Sequence, residues 1–386
     1  MNSFAKFLLK IYASFVIKNQ KYLIFESGDS FKDNAFALYQ YIKEHYPQYK
    51  RKYLVPKKEM KKLAAIAGVS KKEMLNPKNK LALYRYSLKS KAIFFSYINY
   101  WKKLKLTNKT DLVYTAHSEF PVKDCTKFYD YVLGPQENKI FISSRTEFAK
   151  ELFIRKYPIM LNHNFEILGA PRNDLYFKYN VDKNEVLRKL GFENPDGMKI
   201  IISMTTFRHE PARGLNYFKE EFPIQLNEED LDKINSILKE NNEVLLIKLH
   251  HVQNGVVTPA NKDFIKFIND EDIVRLGLSL QSLYTISDVM ITDYSTAYLG
   301  FLIFDRKIIF VVADRDKYDF ERGFTMENIE DYMPGEKVLT KEELLKAFEN
   351  LNKDDGYKDA RNDIRLKLVG DYKDQNCKSY TDRFLK

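Results

Sequence analysis

The sequence predicts an α/β protein built from two doubly wound parallel-sheet units, and three observations carry that prediction. Short apolar runs of the kind that form strands covered on both faces alternate with amphipathic stretches along most of the chain. The alternation pauses at the Pro-containing turn of residues 169–174 and starts afresh near Lys199. A length of 386 residues is long for one hydrophobic core and natural for two. The predicted domains are 1–180 and 181–386, with the last helical stretch a candidate to cross back to the first.

Composition narrows the class. A 44% hydrophobic fraction with 26 Tyr and 28 Phe is ample for packed cores and argues against a disordered chain. Only Cys125 and Cys377 are present, far apart and without a CxxC, so neither a disulfide framework nor a zinc site is signalled. The net charge of +10 is unevenly placed. Residues 1–110 hold 24 Lys/Arg against 6 Asp/Glu, and the remainder holds 39 against 47. A basic first third implies an anionic surface facing it, either lipid headgroups or nucleic acid.

Taken in order, residues 1–20 carry Lys6, Lys10 and Lys18 and no acid, with Phe4, Leu8, Ile11 and Phe15 on one helical face. The apolar stretch is too short to span a bilayer, and no signal-peptide cleavage site follows it. A basic amphipathic helix in a membrane interface fits the pattern, as does a first helix docked on its own domain. Strands are predicted at 22–25, 52–55, 93–97, 112–116, 139–143 and 165–168, with a helix over 36–45. The Lys-rich, aromatic stretch 57–109 suits a headgroup region, a nucleic acid or a merely solvated face. No helix-turn-helix, RNP-type pattern or zinc finger supports nucleic acid.

In the second half, strands are predicted at 199–204, 243–249, 272–276, 288–292 and 307–312, and helices over 228–239 and 341–350. Residues 314–323 read as a charged loop, and 358–386 as polar and helical. The stretch 283–312 stands out as strand, tight turn, helix, strand. Its turn, Asp293-Tyr294-Ser295-Thr296, sets two hydroxyls beside a helix N-terminus, a place for a phosphate. The same residues also cap helices that bind nothing.

Six pieces of the chain follow one another in a set order: Phe25-Glu26-Ser27 with Asp33-Asn34; Gly169-Ala170-Pro171-Arg172-Asn173-Asp174; Thr205-Thr206-Phe207-Arg208; Lys248-Leu249-His250; Ile286-Ser287-Asp288 through Ile291-Thr292-Asp293-Tyr294-Ser295-Thr296; and Arg322-Gly323 with Pro334-Gly335. By these pieces the chain resembles, over about residues 21–350, the CDP-glycerol glycerophosphotransferase family, the enzymes that prime and polymerise wall teichoic acid. The family's Trp-His-Gly and following Pro-Leu-Lys are altered here to Ala116-His117-Ser118-Glu119-Phe120-Pro121-Val122-Lys123, which keeps the histidine and lysine and loses the glycine.

The resemblance implies a GT-B-like fold, two Rossmann-like domains facing a central cleft, with the acceptor on the first and the CDP donor on the second. It implies transfer of a polyol phosphate, glycerol phosphate first, to a polyprenyl-diphosphate-linked acceptor at the cytoplasmic face of the cell membrane. His117 is the expected base. Arg208, His250, Asp293, Ser295, Thr296, Arg322 and Gly323 are expected around the donor, with Asp293 ordering the turn. Glu26, Asn34, Lys123, Arg172 and Thr206 are further cleft candidates. The Asp-x-Asp of Asp314-Arg315-Asp316 lies after the last predicted strand, where a metal motif is not expected. No cofactor is assigned, although diphosphates commonly bring Mg2+. A nucleotide-sugar glycosyltransferase and a non-catalytic basic membrane or nucleic-acid-binding protein are the alternatives.

Overall fold

The computed structural model describes residues 20–28, 31, 33–56, 58–106, 109–116, 120–178, 180–208, 224, 226–248, 261–371 and 375–386. Apart from Gln20, the helix expected over residues 1–20 lies outside them. The chain folds as two compact units. One takes the described residues of Met1–Glu119, Cys125–Leu175 and Lys373–Lys386, the other those of Phe120–Asp124 and Tyr176–Tyr372. The first unit thus takes the last helix from the far end of the chain, and residues 120–124 belong to the second unit.

The first unit is a seven-stranded sheet in the order β3-β2-β1-β4-β5-β6-β7. Its strands are β1 Tyr22–Glu26, β2 Lys50–Leu54, β3 Met74–Leu75, β4 Ser90–Phe95, β5 Asp111–Tyr114, β6 Phe141–Ser144 and β7 Asn164–Ile167. All neighbouring pairs are parallel. One core cluster packs Leu23, Phe25 and Phe94 against Tyr39 and Ile42 of the helix Asn34–His45, and against Tyr380 and Phe384 of the helix Asn376–Phe384.

The turn at 169–174 is the seat of that last helix. The Asp174 carboxylate accepts from Asn376 N (3.1 Å), Asn376 Nδ2 (2.7 Å) and Cys377 N (2.7 Å), meeting N–H groups that the first helical turn leaves without partners. Gly169 has φ +74°, and a Cβ there would stand 1.8 Å from Asn376 Oδ1. Only glycine lets the helix sit this close.

The second unit is a six-stranded parallel sheet in the order β10-β9-β8-β11-β12-β13. Its strands are β8 Lys199–Met204, β9 Glu243–Lys248, β10 Ile265–Ile268, β11 Val289–Thr292, β12 Lys307–Val311 and β13 Glu336–Val338. Capping boxes start the helices Glu228–Glu240, through Asn227 and Asp230, and Lys341–Glu349, through Thr340 and Glu343.

Two predicted elements are corrected. Residues 272–276, expected as a strand, fall mostly in the helix Asp270–Arg275. Asn269 Oδ1 accepts from the N–H groups of Glu271 (2.8 Å) and Asp272 (3.0 Å), which starts a helix, and the strand of this step is β10 just before it. Residues 314–323, expected as a loop, form the helix Arg315–Arg322, which buries Tyr318 and leaves its charges outward.

Candidate functional site

In each sheet the strand order reverses at one place, between β1 and β4 in the first and between β8 and β11 in the second. Chains leaving adjacent strands there diverge to opposite faces of the sheet, so a crevice opens at the strands' carboxyl ends, where doubly wound folds bind ligands. Both reversal points carry buried polar clusters.

In the second unit the cluster centres on Arg208, which is 1% exposed. β8 delivers Thr206 and Arg208; β11 delivers Asp293. Thr206 N donates to Asp293 Oδ1 (2.8 Å) and Thr206 Oγ1 to the same oxygen (3.1 Å), while Ser295 N donates to it at 3.0 Å. Arg208 Nη1 donates to Asp293 Oδ2 and to the Thr206 carbonyl. Its Nε (2.9 Å) and Nη2 (3.1 Å) fork onto Asp314, just beyond β12. Burial alone works against the guanidinium's charge, but Asp293 and Asp314 override it and push the Arg208 pKa up. Tyr318 and Tyr294 cover the group, with ring centroids 5.2 and 5.8 Å from Cζ.

Beside this lock stands Phe207, itself buried. Arg322 Cζ lies 4.8 Å from its ring centroid, and Arg322 Nη1 donates to its carbonyl at 3.1 Å. Lys123 Nζ lies 5.3 Å from the same centroid. Lys123 reaches this place because residues 122–124 run antiparallel to residues 323–325. Lys123 bridges Phe324, Asp124 N donates to Gly323 O (3.0 Å), and Thr325 N donates to Val122 O (2.9 Å). Gly323, at φ +68° and ψ 165°, ends the helix Arg315–Arg322 in a conformation open to glycine.

In the first unit the cluster is built without an arginine lock. Glu26, at the end of β1, is 2% exposed. Its Oε1 accepts from Gly28 N (2.6 Å), and its Oε2 from the N–H groups of Ser96 (3.2 Å), Tyr97 (3.0 Å) and Ile98 (3.0 Å) just past β4. Burial raises the Glu26 pKa, and these four donors oppose the rise. Asp33 Oδ1 accepts from Ser96 Oγ (3.0 Å) and Ala35 N (3.2 Å); its Oδ2 is buried and has no hydrogen-bond partner among the described residues. Burial pushes Asp33 up to about 8. Asn34, fully buried, donates to the carbonyls of Thr115 (3.1 Å) and Ala116 (3.0 Å) and accepts from Arg172 N (3.1 Å). Ala116 is held at φ +58°, immediately before His117.

Comparison with known proteins bears on the chain as a whole. The model of the CDP-Glycerol:Poly(glycerophosphate) glycerophosphotransferase family matches residues 8–384. The chain belongs to that family of transferases. It is 28% identical over 370 residues to the teichoic acid glycerol-phosphate transferase of Staphylococcus aureus, covering 87% of this chain and 85% of that protein. It is 25% identical over 354 residues to the teichoic acid poly(glycerol phosphate) polymerase of Bacillus subtilis, where the match takes 87% of this chain and 44% of the relative's length. A solved structure of the wall teichoic acid polymerase TagF superposes with TM-score 0.70 at 19% identity, covering 98% of this chain and 91% of that one, a likeness of GT-B-like fold.

Within the glycerophosphotransferase frame, the structure gathers Thr206, Arg208, Asp293, Ser295, Arg322, Gly323 and Lys123 in the second unit, and Glu26, Asn34 and Arg172 in the first. His117 and His250 lie outside the described residues. Arg208, expected on the donor's phosphates, is held between the carboxylates of Asp293 and Asp314. Thr296 begins the short helix Ala297–Phe301 without a side-chain cap, whereas Ser295 Oγ accepts from Ala297 N at 3.4 Å. Both residues are partly exposed. Asp33 and Phe207 enter the sequence reading only as members of matched pieces and Asp314 only within an Asp-x-Asp, none with a role of its own. Asp33 carries a readable signal as an N-cap. Among the described residues no cluster of His, Cys, Asp or Glu is arranged to hold a metal ion, and no helix is long and apolar enough to cross a membrane.

Proposed function

We propose that this chain transfers a polyol phosphate, glycerol phosphate in the first instance, from a CDP-activated donor to a lipid-linked acceptor of the teichoic-acid type, releasing CMP. The observation that carries the reading is that two of the family's motif pieces, Thr205–Arg208 and Asp293–Thr296, meet at the reversal point of the second sheet. A crevice of this kind suits a nucleotide.

In this reading the acceptor hydroxyl attacks the phosphorus that bears glycerol. The new P–O bond forms as the bond to the CMP oxygen breaks, and CMP leaves with the electron pair. His117 takes the hydroxyl proton. Phosphoryl transfer of this type depends on positioning and on neutralising charge. Ser295, Thr296, Arg322 and His250 are the groups assigned to the diphosphate, and Arg208 with Asp293 holds the loops that present them. The basic first third suits an acceptor carried on an anionic membrane at its cytoplasmic face.

The test is calorimetric titration of CDP-glycerol, CDP-ribitol, CMP and UDP-glucose, with CMP release followed on a lipid-linked acceptor. Selective binding of a CDP-polyol with CMP release supports the reading and names the polyol. Preference for UDP-glucose turns the chain into a sugar transferase. Failure to bind any of the four overturns the proposal.

A further inference from the structure

Asp33 stands astride the reversal point of the first sheet. It lies past the end of β1 and caps the helix Asn34–His45, while the Ser96 that donates to it lies just past β4. Its carboxyl group therefore spans the two strands between which the order reverses, the place where a doubly wound unit receives ligands. Oδ1 accepts twice, from Ser96 Oγ (3.0 Å) and Ala35 N (3.2 Å), and the Ser96 hydroxyl is itself 2.8 Å from Thr115 Oγ1. The group is thus fixed in place, yet Oδ2 is buried and meets no partner among the described residues. Native folds rarely keep such an atom outside a functional site.

The surroundings set its protonation state. Glu26 at the end of β1 raises the Asp33 pKa and Arg172 in the turn 171–174 lowers it, but burial outweighs both and brings it to about 8. The phenols of Tyr53 in β2, Tyr97 just past β4 and Tyr114 in β5 also lie within electrostatic reach. Burial holds all three above their ordinary 10, so they stay neutral. With Oδ1 accepting twice, the proton of the neutral acid sits on Oδ2, which makes the orphaned atom a donor. The donor's motif pieces meet in the second unit, which leaves this crevice to the acceptor.

We propose that Asp33 is an acceptor-binding residue that acts as a neutral acid, donating its Oδ2 proton to an oxygen at the acceptor's reacting end. The inference rests on the acceptor half of the reading above and adds to it a residue and a protonation state. A protonated carboxyl donates to a hydroxyl or phosphodiester oxygen without the repulsion that an ionised one brings to an anionic chain.

The experiment titrates a water-soluble, short-chain form of the lipid-linked acceptor into the full chain as wild type, Asp33→Asn and Asp33→Leu, at about pH 7 and about pH 9. CMP release from CDP-glycerol is followed in parallel. Only the protonated fraction binds, so wild-type affinity should fall about tenfold between the two conditions. Asp33→Asn offers an amide N–H at either pH and should keep the wild-type affinity of pH 7 at both. Asp33→Leu should lose roughly tenfold or more at pH 7. Glu26 and Arg172 are present in all three proteins, so the difference in pH slope between wild type and Asp33→Asn isolates Asp33. Wild-type affinity that is equal at the two pH values overturns the proposal. So does an Asp33→Asn that loses as much as Asp33→Leu, which would mean that the ionised form binds, and so does a wild type that does not bind the acceptor. Absent CMP release with the pH pattern of acceptor binding intact overturns the CDP reading and leaves the role of Asp33 standing. If Asp33→Leu fails to fold, the two pH slopes decide.

Discussion

The two reversal points solve the same problem, a buried carboxylate at the end of a parallel strand, in opposite ways. In the second unit Asp293 is matched by a guanidinium, and a second carboxylate, Asp314, completes the pair from beyond the neighbouring strand. In the first unit Glu26 and Asp33 make no ion pair among the described residues, and their oxygens rest on N–H groups and one hydroxyl, with one oxygen left over. A carboxylate held by neutral donors in a buried place picks up a proton more readily than one in water. The first cluster is thus responsive to pH through Asp33.

The sharpest way to break this contrast is Asp33→Asn. Burial raises the Asp33 pKa from 3.8 to about 8. Between those values the folded state holds a proton that the unfolded state has lost, so stability falls as pH rises through the window and levels off above pH 8. The full span amounts to something on the order of 5 kcal/mol. The Asn variant lacks this slope, so its advantage over the wild type should grow from about pH 4 to about pH 8 in urea unfolding. Parallel pH curves for the two proteins would show that Asp33 is ionised in the fold and that the two clusters behave alike.

Removing the arginine lock comes next in size. Arg208→Met leaves Asp293 buried without its cation, and breaking a buried pair in this way costs about 3–5 kcal/mol. The loss should appear as a lower denaturation midpoint of the second unit before any ligand is added. Normal stability with lost donor affinity would restore Arg208 to direct phosphate binding. Asn34→Leu is the matching change in the first unit. It strands the carbonyls of Thr115 and Ala116 and the N–H of Arg172, and about 1–3 kcal/mol is expected. Turnover should fall with it while CDP-glycerol affinity, assigned to the other unit, is unchanged. An equal loss of donor affinity would mean the two clusters do not divide the work.

Much of the architecture was legible because a parallel strand is covered on both faces. Runs such as Val289–Thr292, in which every residue is buried, announce themselves without any periodicity. The helix Arg315–Arg322 is hard to read for the converse reason: Tyr318 is its only buried residue, and its mostly polar neighbours resemble a loop. The stretch 272–276 misled because Ile273 and Val274 favour strands, while the decision was made by the cap at Asn269.

At the candidate site, motif order pointed to Thr206, Asp293 and Asn34, and the folded chain brings them to the reversal points. Sequence was silent on who neutralises whom. Arg208 meets Asp314 across 106 residues and Asp293 across 85, and no local pattern distinguishes a matched arginine from one aimed at a ligand. The transfer of Lys123 to the second unit was equally hidden, because it depends on a backbone pairing with a segment 202 positions away at Thr325.

The smallest change proposed concerns Ala116, whose φ of +58° places it in the left-handed region just before His117. An alanine there is strained by roughly 1 kcal/mol, and glycine is not. Part of that gain is returned because glycine also frees the unfolded chain, so Ala116→Gly should stabilise by about 0.5 kcal/mol. The informative quantity is the coupling to Asn34, which donates to the Ala116 carbonyl. If that bond holds the strained residue in place, Asn34→Leu will cost less in the Ala116→Gly background than in the wild type, by more than the roughly 0.3–0.5 kcal/mol within which independent sites add. Strict additivity would mean that the conformation before His117 is set by the sheet alone. Asn34 would then be a brace for the Arg172 turn, and its effect on turnover would have to come through that turn.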